Sequence, residues 1–295
     1  MSSVERAAGV IKLLKDEEWK TLLGLEKASA SYGFADAGMI SRLSRLPQER
    51  VRFALDRLNK KEMVVGSGRN YVLTREAVEA LALKEYVRRD VIAALGAIIA
   101  KGKESDVYEA LSEEGRVYAL KFFKLGRISF TRARRRRLAE RAEIKSWVTL
   151  NYEAAKREYS SLRALAGRLE AFPRAVSYNR SSVLLEELSG VRLSNRPELV
   201  DPKQALTRIL AAMRVAFVDA NLVNADLSEY NILTDGERVW LIDWPQAVHA
   251  SHPNAVELLH HDVNAVLKFF TRAYGVTLGA ETAFEYVTGK RPSLE

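Results

Sequence analysis

The segment Asp226-Leu227-Ser228-Glu229-Tyr230-Asn231-Ile232-Leu233, followed after one turn by Val239-Trp240-Leu241-Ile242-Asp243, restricts the fold of this chain more than any other stretch. Asp235-Gly236 is a hairpin signal set between two apolar runs. Folding about residue 237 brings Asn231 and Asp243 almost opposite one another. An amide oxygen and a carboxylate so placed suit Mg2+, which takes few protein ligands and leaves its other positions to water and phosphate oxygens. Asp226 stands five residues before Asn231, the spacing of an aspartate that accepts or orients the proton of an attacking hydroxyl.

Three further features bear on the same chemistry. Gly102-Lys103-Glu104-Ser105-Asp106-Val107 lies between the apolar stretch 91–100 and a strand over 107–111. It is not a Walker A loop, because five residues separate Gly96 from Gly102 and Glu104 follows the lysine. A loop between two strands can instead fold over a polyphosphate with backbone N–H groups, the Ser105 hydroxyl and Lys103 as donors. The next strand, 116–122, puts Val117, Ala119 and Lys121 on one face by period two. A helix over 152–169 carries Glu158, Leu162, Leu165 and Leu169 in one stripe, so Glu158 is expected to point inward. A buried carboxylate needs a partner. A Lys121–Glu158 ion pair would satisfy both and aim the ammonium at nucleotide phosphates, as in protein kinases.

With Leu120-Lys121-Phe122, Leu125-Gly126-Arg127-Ile128-Ser129-Phe130 and Ile242-Asp243-Trp244-Pro245-Gln246 added, residues 91–274 resemble the RIO family of atypical serine/threonine protein kinases, the second subfamily above all. The resemblance implies an α+β fold, a winged helix-turn-helix followed by a minimal bilobal kinase, with ATP and Mg2+ or Mn2+ as cofactors. It assigns catalysis to Asp226 and Lys121, with Glu158 steadying the lysine, and metal binding to Asn231 and Asp243. Lys103, Glu104 and Ser105 would lie over the triphosphate, and Val107 and Ala119 would roof the adenine. Glu186 and Leu188, in Leu185-Glu186-Glu187-Leu188, would form the hinge at its edge. It also implies autophosphorylation, at Ser129 or Thr131, and a role in small ribosomal subunit maturation. Two positions depart from the family: Asn224-Ala225 replace His-Gly before the catalytic aspartate, and Trp244 replaces a phenylalanine.

The preceding region reads as helices over 16–28, 37–43 and from Pro47 through Leu58, then strands 63–65 and 71–73 about Gly66-Ser67-Gly68. That order is a winged helix's, with Gln48, Arg50, Arg52 and Arg57 offered to a nucleic-acid groove. The expected domains are therefore 1–88 and 89–295, the latter divided into lobes 89–187 and 188–295.

Net charge is +8, and the run from Arg127 to Lys145 alone carries +6. That density fits an anionic partner, which the resemblance implies to be the small ribosomal subunit precursor and its rRNA. The count of 0 cysteines excludes disulfides and thiolate metal sites and suits a reducing, cytoplasmic location. The apolar stretch 91–100 is about half a bilayer span, so no membrane association is expected. The four histidines fall within 13 residues, but His260 and His261 point to different sides of a helix and Pro253 breaks the segment, so no metal site is expected there, and Asp262 is expected to help fix the catalytic core from a C-terminal helix. Only 52 residues follow Asp243, too few for the peptide-binding helices of ordinary kinases, and no Ala-Pro-Glu occurs there. Two rival readings remain: a small-molecule phosphotransferase, and an inactive kinase-fold scaffold that binds RNA or the ribosome.

Overall fold

The computed structural model describes residues 2–67, 69–126 and 147–294. These fall into two compact units, Met1–Ala155 with Tyr178–Val183, and Lys156–Ser177 with Leu184–Glu295. The basic run Arg127–Lys145, with Ser129 and Thr131, lies outside the described residues.

The first unit opens on α1 (Ser3–Ile11), fixed by a capping box in which Ser2 Oγ accepts the Glu5 N–H and the Glu5 carboxylate accepts the Ser2 N–H. Next come α2 (Asp16–Tyr32), β1 (Ala35–Asp36) and α3 (Ala37–Ser44), the last capped by Asp36. Helix α4 (Gln48–Lys60) buries Val51, Ala54, Leu55 and Leu58, the stripe its periodicity requires. Pro47 is its cap residue rather than its first turn. Strands β2 (Val64–Ser67) and β3 (Asn70–Leu73) pair antiparallel, and β1 adds a third strand through Ala35 opposite Tyr71. Helix α5 (Arg75–Arg88) then packs on α1, where Ser3 Oγ donates to Glu79 Oε1 at 3.0 Å.

A meander follows, β4 (Ala94–Lys101), β5 (Ser105–Leu111) and β6 (Val117–Phe123), in register from Ser105 opposite Phe123 to Leu111 opposite Val117. Strand β5 alternates, burying Asp106, Tyr108 and Ala110. Pairing of β4 with β5 shifts register twice, near Gly96, where a Cβ would stand 2.8 Å from the Glu109 Cβ. Helix α6 (Trp147–Leu165) continues from the first unit into the second. Strands β7 (Ala175–Asn179) and β8 (Ser182–Glu186) complete a five-stranded sheet of order β4-β5-β6-β8-β7.

The second unit is mostly helical. It contains β9 (Val191–Arg192), then α7 (Pro202–Arg214) running into a π-helical turn, Val215–Asp219. After these come β10 (Leu222–Val223), the hairpin β11 (Ile232–Thr234) and β12 (Val239–Leu241), β13 (Val248–His249), α8 (Ala255–Tyr274) and α9 (Ala280–Val287). Its core gathers Leu162, Ile209, Leu210, Leu241, Trp244 and Phe270. Trp244 is 1% exposed, donates its indole N–H to the Leu241 carbonyl at 2.9 Å and meets Phe172 edge-on at 5.7 Å. No helix among the described residues is long and apolar enough to cross a membrane.

Candidate active site

The β11–β12 hairpin sets Ile232 opposite Leu241 and Thr234 opposite Val239. Asn231 therefore falls opposite Ile242, one residue short of Asp243, and the Ile242 N–H donates to the Asn231 carbonyl at 2.9 Å. The shift of half a residue from the expected centre comes from the turn, where Thr234 Oγ1 accepts the Gly236 N–H and donates to the Arg238 carbonyl. Asn231 Nδ2 donates to the Asp226 carbonyl at 2.9 Å, which fixes the amide's orientation. Asp226, Asn231 and Asp243 are thereby tied to the base of one hairpin.

The backbone around them sits in the left-handed region at two non-glycine positions, Ala225 (φ 69°) and Asp243 (φ 67°). Such strain persists only where neighbours hold it. Here they do. Asp262, on α8 and 1% exposed, accepts the Ala225 N–H at 2.8 Å and the Leu227 N–H at 3.0 Å. Asn224, 5% exposed, accepts the Asp226 N–H through Oδ1 at 3.2 Å and donates from Nδ2 to the Asp243 carbonyl at 3.0 Å. Burial pushes the Asp262 carboxyl up to about 6 against the pull of those two amides. Burial and then the charge of Asp243 raise that of Asp226. In the sequence Asn224 stands out only as a departure from the family pattern, and the one signal of this part is its place two residues before Asp226.

In the first unit, Lys103 and Glu104 are exposed in the loop between β4 and β5, and Ser105, Val107 and Ala119 are half-buried. Lys121 is 5% exposed, with Nζ 4.8 Å from the centre of the Phe123 ring. In the second unit, Glu158 is 1% exposed, in line with Leu162 and Leu165. Leu169 departs from that stripe and is 39% exposed, because Gly167, at φ 75°, follows the end of α6 at Leu165. Glu186 is exposed, its N–H donating to the Arg174 carbonyl, and the Leu188 carbonyl accepts the Gly190 N–H. The histidines serve local packing: His260 stacks on Phe284 at 3.5 Å, and His249 Nδ1 meets Ser251 Oγ at 2.8 Å.

Helix α4 presents less free charge than its sequence suggests. Arg50 is paired with Glu17 and Arg57 with Glu18, leaving Gln48 and Arg52 as the exposed members of the expected set that no α2 carboxylate holds.

Comparison with known proteins matches residues 106–283 to the RIO domain and residues 11–89 to the family described as "Rio2, N-terminal". The chain belongs to the RIO family. The RIO-type serine/threonine-protein kinase Rio2 of Methanocaldococcus jannaschii is 34% identical over 263 residues, 84% of this chain and 96% of that protein. The serine/threonine-protein kinase rio2 of Schizosaccharomyces pombe is 29% identical over 271 residues, 90% of this chain and 78% of its own. The chain spans only 51% of the Dictyostelium discoideum rio2 kinase, which is longer. Among solved structures, the Rio2 kinase–ADP/Mg2+–phosphoaspartate complex of Chaetomium thermophilum superposes with a TM-score of 0.79 at 25% identity, covering 95% of this chain and 88% of the other. The RIO architecture, a helical N-terminal domain followed by a kinase-like domain of mixed α and β structure, is thus common to this chain and its relatives.

Proposed function

We propose that this RIO chain binds Mg·ATP and transfers the γ-phosphoryl group to serine or threonine hydroxyls, its own included. The observation that carries the reading is the fixing of Asp226, Asn231 and Asp243 at one hairpin base by the Asn231–Asp226 and Ile242–Asn231 hydrogen bonds, both 2.9 Å. In the transfer, the acceptor hydroxyl oxygen bonds to phosphorus as the bond to the β–γ bridging oxygen breaks. The hydroxyl proton passes to the Asp226 carboxylate, whose proton affinity is raised by burial and by Asp243. One neutral amide oxygen and one carboxylate make a hard-oxygen donor set that fits Mg2+ or Mn2+, so Asn231 and Asp243 are assigned to hold the metal. The metal, when bound, neutralises charge gathering on the phosphate oxygens.

The remaining assignments rest on the family pattern together with burial. Lys121 is given to the phosphates and Glu158 to Lys121, since each is a buried ionisable side chain. Lys103, Glu104 and Ser105 are given to the triphosphate, Val107 and Ala119 to the adenine faces, and the Glu186 carbonyl and Leu188 N–H to its edge. The domains proposed are a winged helix over 1–88 and kinase lobes over 89–187 and 188–295. Helices α2 to α4 followed by the β2–β3 hairpin support the first of these. As partner we assign the small ribosomal subunit precursor and its rRNA, in the cytoplasm, with the net charge of +8 as support.

The phosphoaspartate in the C. thermophilum complex favours a second reading, in which a carboxylate of this chain bonds to the γ-phosphorus as the bond to the β–γ bridging oxygen breaks and ADP leaves, and water then hydrolyses the acyl phosphate to free carboxylate and inorganic phosphate. One experiment separates the two. The protein is incubated with γ-labelled ATP and Mg2+, and the labelled chain is treated with hydroxylamine. Label that resists hydroxylamine and is recovered as phosphoserine or phosphothreonine supports the kinase reading; hydroxylamine-labile label supports the aspartyl one. No Mg2+-dependent consumption of ATP contradicts both.

A further inference from the structure

We infer that Asn224 is a positioning residue, which sets the catalytic aspartate and the metal-binding aspartate at a fixed separation through one side-chain amide. The inference rests on the assignment of Asp226 and Asp243 to phosphoryl transfer. Asn224 is nearly buried, and both ends of its amide are spent on these two residues, Oδ1 on the Asp226 N–H at 3.2 Å and Nδ2 on the Asp243 carbonyl at 3.0 Å. The partners lie on different strands of backbone, the loop before β11 and the turn after β12. Each is at or next to a left-handed residue that is strained without support.

Three consecutive amides, of Ala225, Asp226 and Leu227, are therefore taken by two side chains, Asp262 holding the outer pair and Asn224 the middle one. Only Asn224 also reaches the metal-binding turn. An amide suits that task because it accepts at one end and donates at the other with no change of charge between neighbouring carboxylates. The replacement of the family's histidine by an asparagine so bonded is thus compatible with turnover.

The inference is tested in the unliganded protein and in the enzyme assay together. Residue-resolved amide hydrogen exchange on Asn224→Ala is expected to release the Asp226 amide about tenfold or more, while the Ala225 and Leu227 amides stay protected by Asp262. In the assay, Asn224→Ala is expected to lower kcat about 10- to 100-fold, with KM for ATP and affinity for Mg·ADP within about threefold of wild type. Asn224→His, whose ring N–H can still donate to the Asp243 carbonyl, is expected to recover most of the lost rate. If Asn224→Ala melts early, Asn224→Asp, which is isosteric with asparagine, and Asn224→His supply the exchange comparison. An unchanged kcat in Asn224→Ala, or an Asp226 amide as protected as before, overturns the inference. A wild type that transfers no phosphoryl group contradicts the kinase reading instead and leaves the exchange result to decide the Asn224 contacts alone.

Discussion

The loop 224–231, which carries the proposed catalytic aspartate, is gripped at three successive amides by buried side chains, whereas the glycine loop 102–105 is closed by its own backbone, through the Gly102 N–H and the Ser105 carbonyl at 2.8 Å. One further bond steadies the glycine loop, from the Lys124 N–H to the Glu104 carbonyl at 2.7 Å, and its Lys103 and Glu104 side chains stand in water. The difference matches the work proposed for each. A group that takes a proton in the transition state gains from geometry fixed beforehand, while a cover over phosphates must open to admit them and gains from looseness.

Removing the outer grip is the strongest way to break that contrast. Asp262→Ala leaves the Ala225 and Leu227 amides without their acceptor and is expected to cost about 2–6 kcal/mol of stability, at roughly 1–3 kcal/mol for each buried group left unpaired. Denaturant unfolding measures this, and kcat is expected to fall about 100-fold in the fraction that remains folded. Acid is expected to loosen the same grip without a mutation. The two amides need the charged form of Asp262, so turnover should decline as pH falls through about 6. The sign for stability is the opposite. Folded Asp262 holds its proton more tightly than the unfolded chain does, so between its ordinary value of 3.8 and about 6 its titration withdraws stability as pH rises. A pH–rate profile of wild type beside the unfolding curve reads both.

Smaller effects are expected from the open loop. Lys103→Ala and Ser105→Ala should raise KM for ATP by less than about tenfold with little change in kcat, because donors on a loop held mainly by its own backbone add binding shared by ground and transition states. A loss confined to kcat would place this loop with the clamped one. A separate effect concerns the helical domain, where Glu79 is buried with Oε2 unpartnered and its carboxyl is pushed up to about 7, chiefly by burial. Stability should drift downward as pH rises from about 4.5 to about 7 through this group, and Glu79→Gln should flatten that drift in parallel thermal melts.

The same two loops show what the sequence made legible. Spacing alone placed Asp226, Asn231 and Asp243 together, since a hairpin of known turn leaves little freedom, and the error of half a residue lay in a turn that Thr234 shapes with its hydroxyl. Glu158 was readable from three and four residue steps, and Leu169 was not, because Gly167 ends the stripe. Helix α5 escaped notice because it buries eight residues on every side, from Ala77 to Tyr86, and so lacks the amphipathic period that reveals a surface helix. Of the clamp, the bracing part of Asp262 on the C-terminal helix is read from the sequence, while its partners are not, because they are backbone amides, which carry no signature, and Ala225 lies 37 residues away.

The most direct test compares γ-labelled phosphoryl transfer by wild type, Asp226→Asn and Asp243→Asn, with equal melting temperatures and Mg2+ in excess. The account predicts Mg2+-dependent incorporation by wild type and a loss of about 10²-fold or more in each variant. Equal incorporation by all three proteins would contradict it.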